Sequence, residues 1–189
     1  MSKWISKIKL NMKQHTNQTI GVIGLGYVGL PLLLLINKKF KVLGFDINKQ
    51  KIEMIKNNKS YISDISNREI NSINKKNVFL LNKNLKQISR CKFIILCLPT
   101  PLKKNYPDMS YIKKALNEIF PYLKKNQTII LESSVYPGAT EEIFVKKLNQ
   151  KFILGKNYFL AYSPERIDPG KPLFAKKLKY RDITKLVAG

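Results

Sequence analysis

The sequence predicts an α/β fold in which helices cover both faces of a parallel sheet, the doubly wound arrangement. The first observation is that short β-rich runs alternate with helical runs from residue 19 to residue 162. This order is typical of βαβ units, in which the strands are parallel and the crossovers right-handed. The second observation is the continuous apolar run at residues 91–98, which is typical of a central strand covered on both faces.

Periodicity and turn residues place the individual elements. We predict strands at residues 19–23, 40–45, 77–81, 91–98, 127–131 and 158–162, with a further strand beginning at 186–189. We predict helices at residues 30–36, 49–57, 63–74, 85–89, 111–123 and 140–148. Asn48 is expected to cap the second of these helices. Residues 1–18 are interpreted as a basic extension, and residues 19–189 as one domain.

The composition is strongly basic but otherwise that of an ordinary globular protein. The 189 residues carry a net charge of +23, and 44% of them are hydrophobic. Because the lysines are scattered rather than clustered, the charge favours solvated faces and polyanionic ligands, with nucleic acid as a weaker alternative. No run reaches the roughly 18 apolar residues of a membrane span, and residues 1–18 lack the apolar core of a signal peptide. We therefore expect a cytoplasmic protein without membrane association.

The two cysteines and the single histidine are interpreted as structural or solvated residues rather than as metal ligands or redox groups. Cys91 and Cys97 are six positions apart in an extended run, so they cannot easily pair, and free buried thiols fit a reducing compartment. The single histidine, His15, lies in the basic extension, where a solvated side chain is the expected state. We expect no metal site.

The first predicted helix follows a glycine-rich turn, GLGYVG, at residues 24–29. Gly24 permits the tight turn, Gly26 lets backbone approach a pyrophosphate, and Gly29 lets the helix pack closely against the strand. Asp46 ends the next strand, twenty-two positions after Gly24. In dinucleotide-binding βαβ units, an acid about 20 positions after the first glycine binds the ribose hydroxyls. A carboxylate at this position disfavours the 2′-phosphate of NADP, so the pattern predicts NAD as the cofactor. The alternative is a βαβ unit whose glycines only pack.

Lys51 lies one helical turn beyond Asp46, near the expected position of the adenosine ribose. Two interpretations stay open for this side chain, contact with the cofactor or simple solvation.

Polar residues follow three of the later predicted strands. Thr100 follows the apolar run, Ser133 and Ser134 follow the strand at 127–131, and Glu165 with Arg166 follows the strand at 158–162. Carboxyl ends of parallel strands lie along one edge of a sheet, and ligands bind at that edge. We therefore expect these residues to lie beside the glycine turn and to form one site.

Together these segments resemble the N-terminal part of the UDP-glucose/GDP-mannose dehydrogenase family. The resembling motifs are GLGYVGLP (24–31), FD (45–46), CLPTPL (97–102), ESSVYPGAT (132–140) and YSPERIDPG (162–170). The arginine after the glutamate in the last motif is most similar to the branch that acts on UDP-N-acetylhexosamines. The resemblance implies a Rossmann-like NAD-binding domain and the oxidation of a sugar C6 alcohol to a carboxylate with two NAD, for surface polysaccharide precursors.

The resemblance also implies roles for individual residues. Contacts with NAD are implied for Tyr27, Val28, Asp46, Thr100 and Ser134. Glu165 corresponds to the family's acid–base glutamate, and Arg166 with Ile167 corresponds to a substrate-contacting pair. Ser134 stands where a threonine is frequent and keeps the hydroxyl, so we count it with Glu165 among the catalytic candidates. Pro169 stands where some members carry a second glutamate, so that role is unassigned.

Members of this family continue into a second α/β domain with a nucleophilic cysteine. We therefore expect this chain to be the NAD-binding half of a bipartite enzyme, lacking the C-terminal domain and inactive alone, with that domain or a dimer partner completing the site. Cys97 cannot replace the nucleophile, because it lies in an apolar strand without a cationic neighbour. The alternatives are a non-catalytic remnant that binds NAD or a sugar nucleotide, and a basic Rossmann-like domain recruited to nucleic acid.

Overall fold

A computed structural model of the protein describes residues 18–164 and 187–188. Its strands are β1 Thr19–Ile23, β2 Lys41–Phe45, β3 Val78–Leu81, β4 Cys91–Leu96, β5 Leu102–Lys103, β6 Tyr106–Pro107, β7 Gln127–Leu131 and β8 Tyr158–Tyr162. Its helices are α1 Gly29–Ile36, α2 Lys49–Lys56, α3 Asn67–Asn71, α4 Ser110–Ile119 and α5 Lys146–Leu148. Two 3₁₀ segments, Leu85–Arg90 and Phe120–Tyr122, precede β4 and follow α4.

Six strands form one sheet in the order β3-β2-β1-β4-β7-β8, and every neighbouring pair is parallel. The chain adds β2 and β3 on one side of β1, then returns to add β4, β7 and β8 on the other. The direction of winding therefore changes between β1 and β4. In doubly wound sheets, ligands bind outside the carboxyl ends of the strands at this switch point.

The core lies on both faces of the sheet, and β4 shows why its sequence is continuously apolar. Ile94 and Leu96 belong to the apolar cluster on one face, whereas Ile95 and the partly buried Phe93 belong to the cluster on the other. Successive side chains of a strand point to opposite faces, so a strand covered on both sides is apolar on both; the one charged residue of β4, Lys92, is partly exposed near the beginning of the strand. The doubly wound parallel sheet predicted from the sequence is confirmed.

Two predicted helices are shorter than expected. The helix predicted at 63–74 is limited to α3, because Ser66 and Glu69 form a capping box that fixes its beginning. The helix predicted at 111–123 ends at Ile119 and continues as a 3₁₀ turn containing Pro121. Proline has no N–H to donate and clashes with the preceding turn, so the α-helix ends there.

Two further expectations need correction, and one pair of strands was missed. The helix predicted at 140–148 is a π-helical segment, Thr140–Val145, that precedes α5. The strand predicted to begin at 186–189 is, in its described part, a single antiparallel bridge between Ala188 and Tyr162. The antiparallel pair β5 and β6 was not predicted, and its two-residue turn places Lys104 and Asn105 at positive φ. Asparagine tolerates this conformation, so Asn105 was the available signal.

Within residues 18–164 and 187–188, no helix has the length and apolar character needed to cross a bilayer. Residues 1–17 of the predicted extension lie outside the described residues, and the division into an extension and one domain stays a prediction.

Candidate dinucleotide-binding site

The glycine turn leaves the carboxyl end of β1 and folds tightly against the end of β4. Gly24 has a φ of +91°, and its N–H donates to the carbonyl oxygen of Phe45 at 2.8 Å. A Cβ at Gly24 would lie 2.3 Å from the carbonyl oxygen of Cys97. Both the left-handed backbone and the close approach to β4 therefore require glycine.

Gly29 begins α1 and packs on the turn itself. A Cβ at Gly29 would lie 1.8 Å from the carbonyl oxygen of Gly24 and 3.2 Å from the Cβ of Cys97. This is the close helix–strand packing predicted from the third glycine. It points the N-terminus of α1 at the switch point between β1 and β4.

Gly26 differs from the other two glycines because it faces open space. Among the described residues, no atom lies within 4 Å of the position that a Cβ at Gly26 would take. The next residue, Tyr27, is 41% exposed, and Val28 is half-buried. No described side chain caps α1 at Val28. The N–H of Leu30 donates to the carbonyl oxygen of Gly26 at 3.1 Å and Pro31 has no N–H, so the backbone N–H groups of residues 26–29 are the ones available to an anion. The turn is thus a backbone cradle open to a phosphate.

Asp46 follows β2 directly and is buried, with 6% of its surface exposed. One carboxylate oxygen, Oδ2, accepts from the N–H of Leu25 at 2.9 Å, and Oδ1 accepts from the N–H of Asn48 at 2.8 Å. The ammonium group of Lys51 lies 3.4 Å from Oδ2. A carboxylate has about four acceptor positions, so these contacts leave one for a ribose hydroxyl. Asp46 therefore also has a structural role, since it ties β2 to the glycine turn.

Lys51 is neither free in solvent nor buried. The Asn48 side chain accepts from the N–H groups of Gln50 and Lys51, which confirms Asn48 as the cap of α2. The cap places Lys51 in the first turn of α2, where its ammonium pairs with Asp46 and lies 5.6 Å from the centre of the Tyr61 ring. Its position beside Asp46 fits the interpretation that it meets the cofactor.

Tyr61 was not identified from the sequence. Its hydroxyl donates to the carbonyl oxygen of Leu25 at 2.5 Å. Burial, and secondarily the negative charge of Asp46, raise the pKa of Tyr61 well above its usual range. The only sequence signal was an aromatic residue in a polar connector.

The loops that follow β4 and β7 are joined by their hydroxyl side chains. Thr100 Oγ1 donates to the carbonyl oxygen of Ser134 at 2.6 Å. The hydroxyl of Ser133 accepts from the N–H of Leu98 at 3.1 Å and donates to its carbonyl oxygen at 2.8 Å. The predicted meeting of these residues at the carboxyl edge is confirmed, with Ser134 exposed and Thr100 half-buried. Their contact with the cofactor stays a prediction.

Cys97 lies just past β4, rather than inside a strand as predicted. It is buried, and its thiol lies 3.8 Å from Oε2 of Glu132, a buried carboxylate that the sequence did not single out. Cys91 is also buried, and the two cysteines form no disulfide with each other, as predicted. Within the described part of the chain, no three His, Cys, Asp or Glu side chains group as metal ligands would.

The predicted substrate residues Glu165, Arg166 and Ile167 lie outside the described residues. The described chain leads toward the same edge of the sheet, because the N–H of Ser163 donates to the carbonyl oxygen of Leu131 at the end of β7.

Comparison with known proteins identifies this architecture. Residues 18–181 match the model of the UDP-glucose/GDP-mannose dehydrogenase family, NAD binding domain. The chain belongs to this family. The glycine turn and the carboxyl edge of the sheet are therefore parts of its NAD-binding domain, and NAD is the cofactor of that domain.

Several relatives resemble the chain over most of its length. It is 37% identical over 176 residues to Protein CapL of Staphylococcus aureus, covering 92% of this chain and 40% of CapL. It is 36% identical over 174 residues to the UDP-N-acetyl-D-glucosamine 6-dehydrogenase of Pseudomonas aeruginosa, covering 90% of this chain and 39% of that protein. The solved UDP-N-acetyl-mannosamine dehydrogenase Cap5O of S. aureus is 31% identical with a TM-score of 0.72, covering 81% of this chain and 38% of that one. The chain thus spans about two fifths of these proteins' length.

Proposed function

We propose that this chain supplies the NAD-binding part of a UDP-N-acetylhexosamine 6-dehydrogenase. The observation that carries the proposal is the site at the β1–β4 switch point, where an open glycine cradle, a buried carboxylate and a pair of joined hydroxyl loops converge. Similarity to proteins named for oxidising UDP-N-acetylglucosamine and UDP-N-acetylmannosamine supports the substrate class.

Each region of the site fits a different part of the dinucleotide. The backbone of Gly26 to Gly29 would hold the pyrophosphate, because its N–H groups lie at the N-terminus of α1, where the positive end of the helix dipole favours an anion. Asp46 and Lys51 would hold the adenosine ribose, since both are within reach of a ligand at the end of β2. Thr100 and Ser134 would lie along the other half of the cofactor, across the switch point.

NAD bound in this cradle would accept hydride from the sugar C6 carbon. The protein must then remove the proton of the C6 hydroxyl group, and Glu165 is the proposed base, because it follows β8 closely in sequence and matches the family's acid–base glutamate. Arg166 and Ile167 are proposed to contact the substrate. Ser134 is proposed to contact both NAD and the reacting groups, since its hydroxyl follows β7 at the carboxyl edge of the sheet.

The complete oxidation is proposed to require a further domain or a dimer partner. In the described residues the thiols are those of Cys91 and Cys97, and both are buried. A buried thiol beside a carboxylate is poorly suited to nucleophilic attack on an aldehyde. We therefore expect the 189-residue chain alone to produce no NADH from UDP-N-acetylhexosamines.

A chimera tests this function directly. The chain would replace the equivalent N-terminal part of the P. aeruginosa UDP-N-acetyl-D-glucosamine 6-dehydrogenase, to which it is 36% identical. We expect NADH formation when NAD and UDP-N-acetylglucosamine are added, and none from the Glu165→Gln chimera. A chimera that binds both NAD and the UDP-sugar yet reduces no NAD would contradict the proposal.

A further inference from the structure

Leu25 is the residue between the first two glycines of the turn, and side chains from two other elements bind both of its backbone polar groups. Its N–H donates to Asp46 at 2.9 Å, and its carbonyl oxygen accepts from the hydroxyl of Tyr61 at 2.5 Å. Its own side chain is fully buried. The turn is thus held from both sides at a residue that is itself anchored in the core.

The bond from Tyr61 fixes the orientation of the peptide that leads into Gly26. This peptide is trans, so its C=O and N–H point in opposite directions. Because Tyr61 binds the C=O of Leu25, the N–H of Gly26 faces away from the Tyr61 hydroxyl. Gly26 is also the glycine whose surroundings are open.

Tyr61 itself is held firmly and remains a donor. The connector around it is ordered by Asn67, whose side chain accepts from the N–H of Ser60 at 2.7 Å, and by Ile62, which is 4% exposed. Burial and the nearby charge of Asp46 raise its pKa, so the hydroxyl keeps its proton at neutral pH. The ammonium of Lys51, 5.6 Å from the centre of the ring, links the same tyrosine to the proposed ribose site.

We propose that Tyr61 is a positioning residue for pyrophosphate recognition. Tyr61 does not touch the cofactor. It holds the Leu25–Gly26 peptide in the orientation in which the turn presents its backbone to the phosphates. The proposal rests on the NAD site described above and adds to it a residue thirty-six positions from the turn.

The test compares two ligands that share the adenosine. ADP-ribose adds the pyrophosphate and a terminal ribose, which adenosine lacks, and each ligand is titrated by calorimetry or NMR against the chain and its Tyr61→Phe variant. The variant removes the hydroxyl and keeps the ring. We expect ADP-ribose binding to weaken by about 3- to 10-fold, the range for losing one hydrogen bond, and adenosine binding to change less than about 2-fold.

Tyr158→Phe is the matched control. Tyr158 is buried, whereas Tyr61 is partly buried, and the Tyr158 hydroxyl bonds Oδ1 of Asn149 at 3.0 Å, near the beginning of β8 and away from the glycine turn. We expect this variant to lose thermal stability without changing the ratio of ADP-ribose to adenosine affinity. If Tyr61→Phe weakened both ligands equally, or left ADP-ribose binding unchanged, the positioning role would be refuted.

A measurement on the unmodified chain keeps the proposal testable if the variant does not fold. The amide resonance of Gly26 should shift strongly with ADP-ribose and little with adenosine. Equal shifts with both ligands would overturn the positioning role while leaving NAD binding intact. A folded chain that binds neither ligand would instead overturn the NAD site itself, and this proposal with it.

Discussion

Replacing Gly26 with valine should abolish NAD binding and leave the fold intact. The described protein leaves the space beside Gly26 open, with no atom within 4 Å of the point where a Cβ would stand. A Cβ can therefore be added there without a clash, and we expect the free energy of unfolding of Gly26→Val to change by less than about 1 kcal/mol. The same side chain occupies the space proposed for the pyrophosphate.

The loss of affinity can be estimated from the hydrogen bonds removed. A hydrogen bond to a charged group contributes about 1.5–3 kcal/mol, so losing two costs about 3–6 kcal/mol. This corresponds to NAD binding that is about 100- to 10,000-fold weaker. Calorimetric titration measures the affinity, and urea unfolding measures the stability of the same preparation.

Gly29→Ala is the matched control, because it should lower the stability of the fold, which Gly26→Val should leave nearly unchanged. Its Cβ would lie 1.8 Å from the carbonyl oxygen of Gly24, so the backbone of the turn must move. We expect the alanine to destabilise the fold by about 1–3 kcal/mol. An unchanged dissociation constant for NAD in Gly26→Val, or a loss of stability as large as that of Gly29→Ala, would refute the reasoning.

Three further predictions concern Asp46, Lys51 and Cys91. In Asp46→Asn the side chain keeps one oxygen, whereas the N–H groups of Leu25 and Asn48 now bind two different oxygens of Asp46. One of these hydrogen bonds is lost, so urea unfolding should show a free energy of unfolding lower by about 1–3 kcal/mol. Lys51→Met keeps the apolar stem and removes the cation that could neutralise the 2′-phosphate of NADP beside Asp46. Calorimetry should therefore show a larger preference for NAD over NADP. A reduced preference would contradict this role of Lys51. Burial raises the pKa of Cys91 to about 12, against about 8.5 in an unfolded chain. As the pH rises, the thiol therefore loses its proton in the unfolded chain before it does in the folded one. The free energy of unfolding should be greatest below about pH 8.5 and should fall toward pH 12 by up to about 1.4 kcal/mol per pH unit. Urea unfolding of Cys91→Ala should lack this part of the pH dependence.

The features that sequence reasoning found are those encoded locally. The strands at 127–131 and 158–162 match β7 and β8 residue for residue, because in each an apolar or aromatic segment ends abruptly at a polar residue, Glu132 or Ser163. The three glycines and Asp46 were recognisable because their spacing within one βαβ unit is fixed by the turn, the helix and the second strand.

The features that were missed depend on contacts between distant parts of the chain. The bond from Tyr61 to Leu25 joins residues thirty-six positions apart, and no periodicity indicates it. The buried pairing of Cys97 with Glu132 depends on β4 and β7 being neighbours, which is a property of strand order rather than of either segment. The length of α3 was overestimated because Ile65, Ile70 and Ile73 of the stretch at 63–74 all pack on the core, so burial does not mark the ends of the helix, and the capping box fixes its beginning.

The most direct test of the central claim is calorimetric titration of the 189-residue chain with NAD and, separately, with NADP. The buried carboxylate of Asp46 and the open glycine cradle predict one NAD bound per chain and NADP binding at least about 10-fold weaker. A folded chain that binds no NAD, or that binds NADP as tightly as NAD, would contradict the account.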